Sequence, residues 1–573
     1  SSVNGQIMPP VMGAAAFLMV EYVGIPYIEV MKHAFLPAII SYIALLYIVH
    51  LEALKANMVG LPRRGTATAG QRLMSFAMTV AGFIVLSGAV YWGIGWIKTA
   101  MGDAAIWVVG AGLLASYVGL LWFGARQPAL ELDDPNAPVF ELPETGPTVK
   151  SGLHYLLAVV VLIWCLMVEQ MSPGLSAFWA TLFMIFVMLT QKPIIAAFRG
   201  HGGLGAATRQ GFADLVDGLA TGARNMIGIG VATATAGIIV GGITLTGLGL
   251  RMTEFVEFVA QGNVMVMLLF IAFVCLVLGL GVPTTANYVL VATLMAPVVV
   301  ELGAQSGLII PLIAVHLFVF YYGIMGDITP PVGLATFAAA AISGEDAIKT
   351  GVQGATYALR TVILPFIWIF NPQLLLINVH GAGELTRLLL ACTLATLIFA
   401  AVTMNWFRVK SRWWETALLL CAVVLLFRPD FFMDRFHPAY QSVPAAQVFE
   451  VAGKVASDDR VVMVIQGSTI EGRDITKTVA LQLGEAGPEG RKRLMDAGLQ
   501  LVPLGDAVQI GQVKFGTRAA KSGFEQGWDV TGVEVPTDRA TPHWFYLPAL
   551  LLVALVWWNQ GRRLKPFVRR AVA

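Results

Sequence analysis

The 573-residue chain carries 37 Lys and Arg against 35 Asp and Glu, a formal net charge of +2, and is 57% hydrophobic and only 13% charged. With a mean hydropathy of +0.74, that composition excludes an ordinary soluble protein of this length and describes a polytopic membrane protein whose first partner is the lipid bilayer. The near-neutral charge balance, with no long basic run, points to no nucleic-acid partner.

The chain opens on Gly5-Gln-Ile-Met-Pro-Pro-Val11, a phrase that returns as Gly326-Asp-Ile-Thr-Pro-Pro-Val332 with five of seven positions identical. Adjacent prolines supply no backbone N–H, hold φ at about −65° and bar the preceding residue from the helical region, so a helix breaks there and restarts beyond. In a bilayer such a break is tolerated only where protein or a water-filled cavity receives the freed carbonyls. A matched pair of breaks, one in each half, is the pattern of a secondary transporter's binding site.

Apolar spans of roughly 17 to 25 residues cross a bilayer. They are predicted at 34–51, 73–95, 104–124, 153–170 and 174–190, then at 225–248, 264–281 with a continuation to 300, and 353–371. A hairpin-like pair is predicted at 308–323 and 330–342, and three further spans at 385–404, 413–428 and 544–558. Cys165, Cys275, Cys392 and Cys421 fall in apolar runs and read as buried packing residues, not as ligands or disulfides. Gly237 and Gly241, four apart among Ala and Thr, read as a close helix-packing face.

Loop charges set the orientation. Lys55, Arg63, Arg64 and Arg72 place the loop after the first span inside, as do Arg199 and Arg209 for the loop near 200. Arg408, Lys410, Arg412 and the tail residues Arg562, Arg563, Lys565, Arg569 and Arg570 also belong inside, which makes the C-terminus cytoplasmic. With 308–342 dipping in and returning, span 34–51 then runs inward and its counterpart 353–371 outward, so the two copies are inverted repeats. Four residues precede the first phrase, whereas the stretch from Gly222 to Met325 precedes the second. The expectation is a chain that starts inside its first repeat and lacks that repeat's first half.

Site chemistry is therefore expected in the second repeat. Residues 264–300 read as a helix that breaks at Gly279-Leu-Gly-Val-Pro-Thr-Thr-Ala-Asn287 and resumes. Free carbonyls around Gly281 and Pro283, the hydroxyls of Thr284 and Thr285 and the amide of Asn287 are oxygen ligands suited to a hard cation such as Na⁺. The tip from Gly323 to Pro331 offers the same kind of ligands plus one carboxylate, Asp327, which reads either as a cation ligand or proton carrier or as a helix cap at the membrane surface. A Gly-Pro break can also be only a kink. His316 reads as a hydrogen-bonded packing histidine and not as a proton relay.

Leu278-Gly-Leu-Gly-Val-Pro-Thr-Thr-Ala-Asn-Tyr288, His316-Leu-Phe-Val-Phe-Tyr-Tyr-Gly323, Asp327-Ile-Thr-Pro-Pro-Val-Gly-Leu-Ala335 and Asn371-Pro-Gln-Leu-Leu-Leu376 together resemble the large membrane subunit of tripartite ATP-independent periplasmic (TRAP) transporters. The likeness is greatest to fused permeases that work with TAXI-type periplasmic solute receptors, and Gly5-Gln-Ile-Met-Pro-Pro-Val-Met-Gly-Ala-Ala-Ala-Phe17 is similar to that branch's first hairpin. It covers about residues 1 to 380. The resemblance implies an inner-membrane importer of an organic anion, delivered by the receptor, driven by a Na⁺ or H⁺ gradient through an elevator-type movement, with no resident cofactor and no enzymatic activity. It places cation ligands at Gly5, Ile7 and Pro9, at Gly281, Pro283, Thr284 and Thr285, and at Gly323, Asp327 and Thr329. Family members also carry an earlier unwound segment and a small-subunit region that this sequence does not show, so one cation site is expected to be incomplete. Half-helices restarting after Pro9-Pro10 and Pro330-Pro331 would offer positive N-terminal ends to an anion; Asn287, Pro330 and Pro331 are the candidate substrate residues.

Between 428 and 544 lies a polar stretch too long for a loop, with β-rich runs such as Arg460-Val-Val-Met-Val-Ile465. Val508 to Phe515, Gly516 to Gly523 and Gly527 to Val533 read as strand, short helix and strand, similar to the latter part of a PDZ domain, which takes peptide ends by strand addition. The expected fold is thus an all-α polytopic membrane protein with inverted repeats, re-entrant hairpins and broken helices, plus a small β-rich periplasmic domain. Its divisions are 1–52, the first-repeat remnant; 53–210, connecting helices; 211–380, the second repeat; 381–428, two added spans; 429–542, the periplasmic domain; and 543–573, the last span and basic tail. Two other readings are a membrane scaffold or receptor acting through the periplasmic domain, and an intramembrane protease, for which none of the eight histidines has a His-Glu-x-x-His spacing.

Overall fold

The computed structural model describes residues 2–10, 12–58, 69–127, 145–200, 203–260, 263–279, 284–306, 308–330, 333–379, 381–457, 459–468, 472, 474–505 and 507–572. The chain forms two compact units, one of Met58–Ile227 and one that joins Ser1–Asn57 to Gly228–Ala573. Among the described residues seven helices are long and apolar enough to cross a membrane. The protein is a polytopic helical membrane protein with a small antiparallel sheet near its C-terminus.

A helical turn, α1 (Ser2–Gly5), is followed by α2 (Ala14–Val23) and α3 (Tyr27–Lys55). The 58–227 unit then holds α4 (Ala69–Met101), α5 (Ala105–Ala125), α6 (Thr145–Gly152), α7 (Leu156–Met167), α8 (Pro173–Phe198) and the start of α9 (Leu204–Thr246). Helix α8 begins where Ser172 Oγ accepts from the Leu175 N–H at 3.4 Å and Pro173, needing no donor, takes the first position. Inside this unit Tyr117, Leu121 and Val187 are buried together, and the Tyr117 hydroxyl meets Thr190 Oγ1 at 2.8 Å. His154 Nε2 and Gln191 Oε1 pair at 2.8 Å among the apolar helices, while the other ring nitrogen, Nδ1, is buried without a hydrogen-bond partner.

The larger unit continues with α10 (Leu248–Ala260), α11 (Val264–Gly279), α12 (Thr284–Gln305), α13 (Leu312–Met325), α14 (Leu334–Ser343) and α15 (Ala347–Phe370). Here the structure corrects one expectation. The element that folds back on itself is α11 with α12: the two pack together, and the start of α11 (Val264, Met267) and the end of α12 (Leu302, Gln305) line one cavity of about 340 Å³. The end of α11 at Gly279 and the start of α12 at Thr284 therefore lie at the same end of that pair, where a Cβ on Gly279 would stand 2.8 Å from Asn287 Nδ2. The expected hairpin at 308–342 is instead the broken element, with α13 packed on α11, α12 and α15, and α14 packed on α15. Hydropathy reads both pairs as apolar, break, apolar; only side-by-side packing separates them.

The repeated phrase is followed by repeated architecture. Helices α2 and α14 are both ten residues long, begin after Gly13 and Gly333, and end on Gly24 and Gly344 with φ of +71° and +73°. Glycine accepts that left-handed conformation without a Cβ clash. Long helices α3 and α15 then start three residues beyond each glycine.

Helices α16 (Ala382–Thr403) and α17 (Trp413–Phe427), the short α18 (Pro429–Met433) and the last helix frame the C-terminal region. Between them lies a domain built from β1 (Tyr440–Pro444), α19 (Val448–Lys454), β2 (Arg460–Ser468), β3 (Asp474–Gln482), α20 (Gly490–Asp496), β4 (Leu499–Leu504), β5 (Ala507–Val513), α21 (Arg518–Lys521) and β6 (Asp529–Pro536), before α22 (Tyr546–Val572). The sheet order is β3-β2-β6-β5-β4, with β1 sharing the β5 edge of β6 and every pairing antiparallel. Val461, Met463 and Ile465 point inward from β2 in the alternation a half-buried strand requires, and join Val479, Leu481, Ile510 and Val530 in one core. The strand, helix and strand expected over 508–533 are β5, α21 and β6.

Where α17 and α22 pack together, Glu415 is fully buried and accepts from Arg563, Asn559, Gln560 and the Arg412 backbone N–H at 2.5–3.0 Å. Cys165, Cys275 and Cys392 are buried and free as expected, but Cys421 is exposed on α17, which corrects its reading as a buried packing residue. Nothing described lies within 4 Å of where a Cβ would stand on Gly237 or Gly241, so the expected close packing at that face is absent among the described residues.

Candidate functional site

The two copies of the phrase end up against each other. In the first, the N–H groups of Ile7 and Gly13 bond to the carbonyls of Asn4 (3.2 Å) and Gln6 (2.7 Å), so the chain turns tightly before α2. The Tyr27 hydroxyl donates to the Pro10 carbonyl at 3.0 Å and holds the turn against α3. In the second, Ile328 N–H bonds to Met325 O at 3.1 Å and Thr329 N–H to Gly326 O at 3.3 Å, while Ala335 N–H returns to Asp327 O at 3.1 Å. Gln6 and Asp327 hold the same place in the two phrases, and Gln6 Nε2 donates to Asp327 Oδ2 at 3.3 Å.

Asp327 is also bound from the hairpin. Thr284 Oγ1, at the first position of α12, donates to the same Oδ2 at 2.6 Å, a short charge-assisted bond. The end of α11 approaches the second tip so closely that a Cβ on Gly326 would stand 2.9 Å from Gly279 Cα; a Cβ on Gly279 would stand 2.8 Å from Asn287 Nδ2. Asn287 is buried, donates through Nδ2 to Cys275 O at 3.2 Å, and leaves Oδ1 buried without a hydrogen-bond partner. An orphaned buried acceptor is costly and needs an explanation. Beside a carboxylate and a threonine at a helix start, it has the chemistry of a ligand for a hard cation. Among the described residues no three His, Cys, Asp or Glu side chains cluster as a transition-metal site would require.

Of the expected residues, Thr284 and Asp327 are joined by a hydrogen bond, and Asn287 and Gly323 adjoin them, since a Cβ on Gly323 would lie 3.4 Å from Asn287 Nδ2. Thr285 is half-buried one position further along α12. Ile7 is buried in the first tip, Pro9 is half-buried there, and Gly5 is exposed. Thr329 turns its hydroxyl back to Met325 O at 2.7 Å, so that oxygen already serves the local turn. Pro330 lies against α15, where a Cβ on Gly351 would meet it at 2.9 Å. Gly281, Pro283 and Pro331 lie outside the described residues. His316 accepts or donates a 2.7 Å bond with the Tyr288 hydroxyl in the core, as a packing histidine does.

Two residues were missed by the sequence reading. Gln6 carried a usable signal, since it occupies the position of Asp327 in the repeat. Arg360 carried another: it is an arginine inside the apolar helix α15, and it is buried against Asn4 of the first tip.

A family described as "Tripartite ATP-independent periplasmic transporter, DctM component" matches residues 1–121 and 104–382, and a "Domain of unknown function (DUF3394)" matches residues 386–566. No curated protein and no solved structure matches the chain.

Proposed function

The chain belongs to the DctM-component family of tripartite ATP-independent periplasmic transporters, and from that premise we propose that it imports an organic anion handed over by a TAXI-type periplasmic receptor, with Na⁺ or H⁺ as the coupling ion. As a permease of that family it moves a solute across the membrane and is not an enzyme. The observation that carries the coupling site is the convergence of Thr284, Asp327 and Gln6, from a hairpin and from both copies of the repeated phrase, on one carboxylate oxygen. A cation held there would tie the hairpin to both tips at once, and its release would free them to move. Such a cross-link suits an elevator-type carrier, in which a bound ion and solute travel with the hairpin-bearing region. The sheet domain is assigned to the periplasm and the end of α22 to the cytoplasm on the distribution of Lys and Arg in the loops.

The test is uptake into proteoliposomes containing the full-length protein, with receptor added and Na⁺ and pH gradients imposed separately. Receptor-dependent uptake driven by one gradient and abolished by Asp327→Ala is the expected result. Uptake that Asp327→Ala and Thr284→Ala leave unaltered would sink the site assignment.

A further inference from the structure

Resting on the anion-import reading above, we propose that Arg360 is a substrate-carboxylate-binding residue, placed beside the two tips and separate from the cation ligands. Arg360 lies in the middle of α15 and is 3% exposed. Its Nη1 donates to the Tyr357 carbonyl at 2.5 Å and its Nη2 to Asn4 Oδ1 at 3.1 Å. Nε is buried with no hydrogen-bond partner, and among the described residues no carboxylate forms an ion pair with this guanidinium. Both partners it does have are neutral acceptors. A permanently charged group in an apolar helix with a donor left over is a strongly unfavourable arrangement unless an anion completes it.

The surroundings supply room for one. Arg360 lines a cavity of about 480 Å³ between α3, α14 and α15, with Asn4, Ile328, Thr336, Gln353 and Tyr357. That volume suits a small organic acid. Two further charged residues, Glu345 and Lys349, line it as well. They are exposed and of opposite sign, so Arg360 supplies the uncompensated positive charge. A second void of only about 20 Å³ is also lined by Asn4, Ile328 and Arg360 and reaches Ile7 and Met325, next to the residues that position Asp327. Arg360 thus borders both the roomy cavity and the paired tips. A carboxylate there would take the free Nε donor and displace a neutral acceptor, giving the planar two-point recognition for which arginine is suited and lysine is not. Occupancy would also bear on Asn4 and hence on the first tip, which connects solute binding with the cation cross-link.

The experiment uses the full-length protein with its receptor in proteoliposomes and radiolabelled acetate, succinate, 2-oxoglutarate and glutamate as probes. For whichever acid wild type takes up, Arg360→Gln should raise KM, measured at saturating coupling ion, by about 10- to 100-fold, the loss expected of hydrogen bonds to a charged group. Should that variant fail to accumulate, Arg360→Cys in a Cys421→Ser background decides, because Cys421 is the one exposed cysteine among the four. Reaction with an aminoethyl methanethiosulfonate, which restores a positive charge, should recover uptake, and a sulfonatoethyl reagent should not. A merely structural role would make no distinction of sign. Unchanged KM in Arg360→Gln, or equal recovery with both reagents, overturns this inference alone. Failure of wild type to take up any of the four acids would overturn the import reading and this inference with it.

Discussion

Gly326→Ala tests the construction of the site most directly. Gly326 has φ of −56°, a conformation alanine adopts without strain, so any effect is steric. Its added Cβ would stand 2.7 Å from the Gly279 carbonyl carbon and 2.9 Å from Gly279 Cα, against an ordinary contact of 3.4 Å or more. Both atoms are backbone, and neither can turn aside as a side chain would. The second tip and the end of α11 must then part by roughly 1 Å, an overpacking that costs about 1–3 kcal/mol. The same displacement takes Thr284 Oγ1 from 2.6 Å to about 3.6 Å from Asp327, where it is no longer hydrogen-bonded. The expected result is a lower Tm for the purified protein and, since each 1.4 kcal/mol is about tenfold in affinity, roughly a tenfold or greater rise in the half-saturating coupling-ion concentration for uptake. Gly5→Ala is the matched control. It changes the same position of the first phrase, where nothing described lies within 4 Å of the new Cβ and the residue is helical, so Tm and ion dependence should stay close to wild type. A Gly326→Ala protein with wild-type Tm and ion dependence, or a Gly5→Ala protein equally impaired, would refute the reasoning.

Three other outcomes follow from the same structure. Thr284→Val keeps the shape of the side chain but removes the 2.6 Å bond to Asp327, and should weaken coupling-ion activation by about 1.5–3 kcal/mol, whereas Thr284→Ser should retain it; ion titration of uptake distinguishes them. Glu415→Ala leaves Arg563, Asn559 and Gln560 without their shared acceptor and should cost about 3–5 kcal/mol, as loss of one partner of a buried pair does, read as a fall in Tm. Lys477, buried in the sheet domain, reaches Glu525 at 3.0 Å, Glu301 of α12 at 3.8 Å and the Trp528 ring at 4.6 Å. Because both acids are about half exposed, Lys477→Met should cost only about 1 kcal/mol and show as faster limited proteolysis of the sheet domain, with the transmembrane helices unaffected.

Much of the architecture was legible because its signals are local. Apolar length marks a span, Pro-Pro ends a helix, alternation over 460–465 marks a strand, and a phrase repeated at five of seven positions marks duplication. Thr284, Asp327 and Asn287 were legible for a related reason: oxygen-bearing side chains beside helix breakers amid apolar sequence have few purposes in a bilayer. What was not legible depends on which distant surfaces meet. Cys421 faces outward although its flanks are as apolar as those of buried Cys392, because in a membrane both lipid and core accept apolar side chains.

The sequence by itself determined that this is a membrane protein with a duplicated break-bearing unit, an added sheet domain and one carboxylate at a tip. Only the tertiary structure decided that α11 and α12 form the hairpin, that Gln6 meets its own repeat counterpart Asp327, and that Arg360 stands buried beside Asn4 with a donor to spare. Hydropathy and helix-breaking chemistry act within a few residues, whereas these contacts join segments hundreds of residues apart, and nothing in either segment's own sequence names the surface it will pack against.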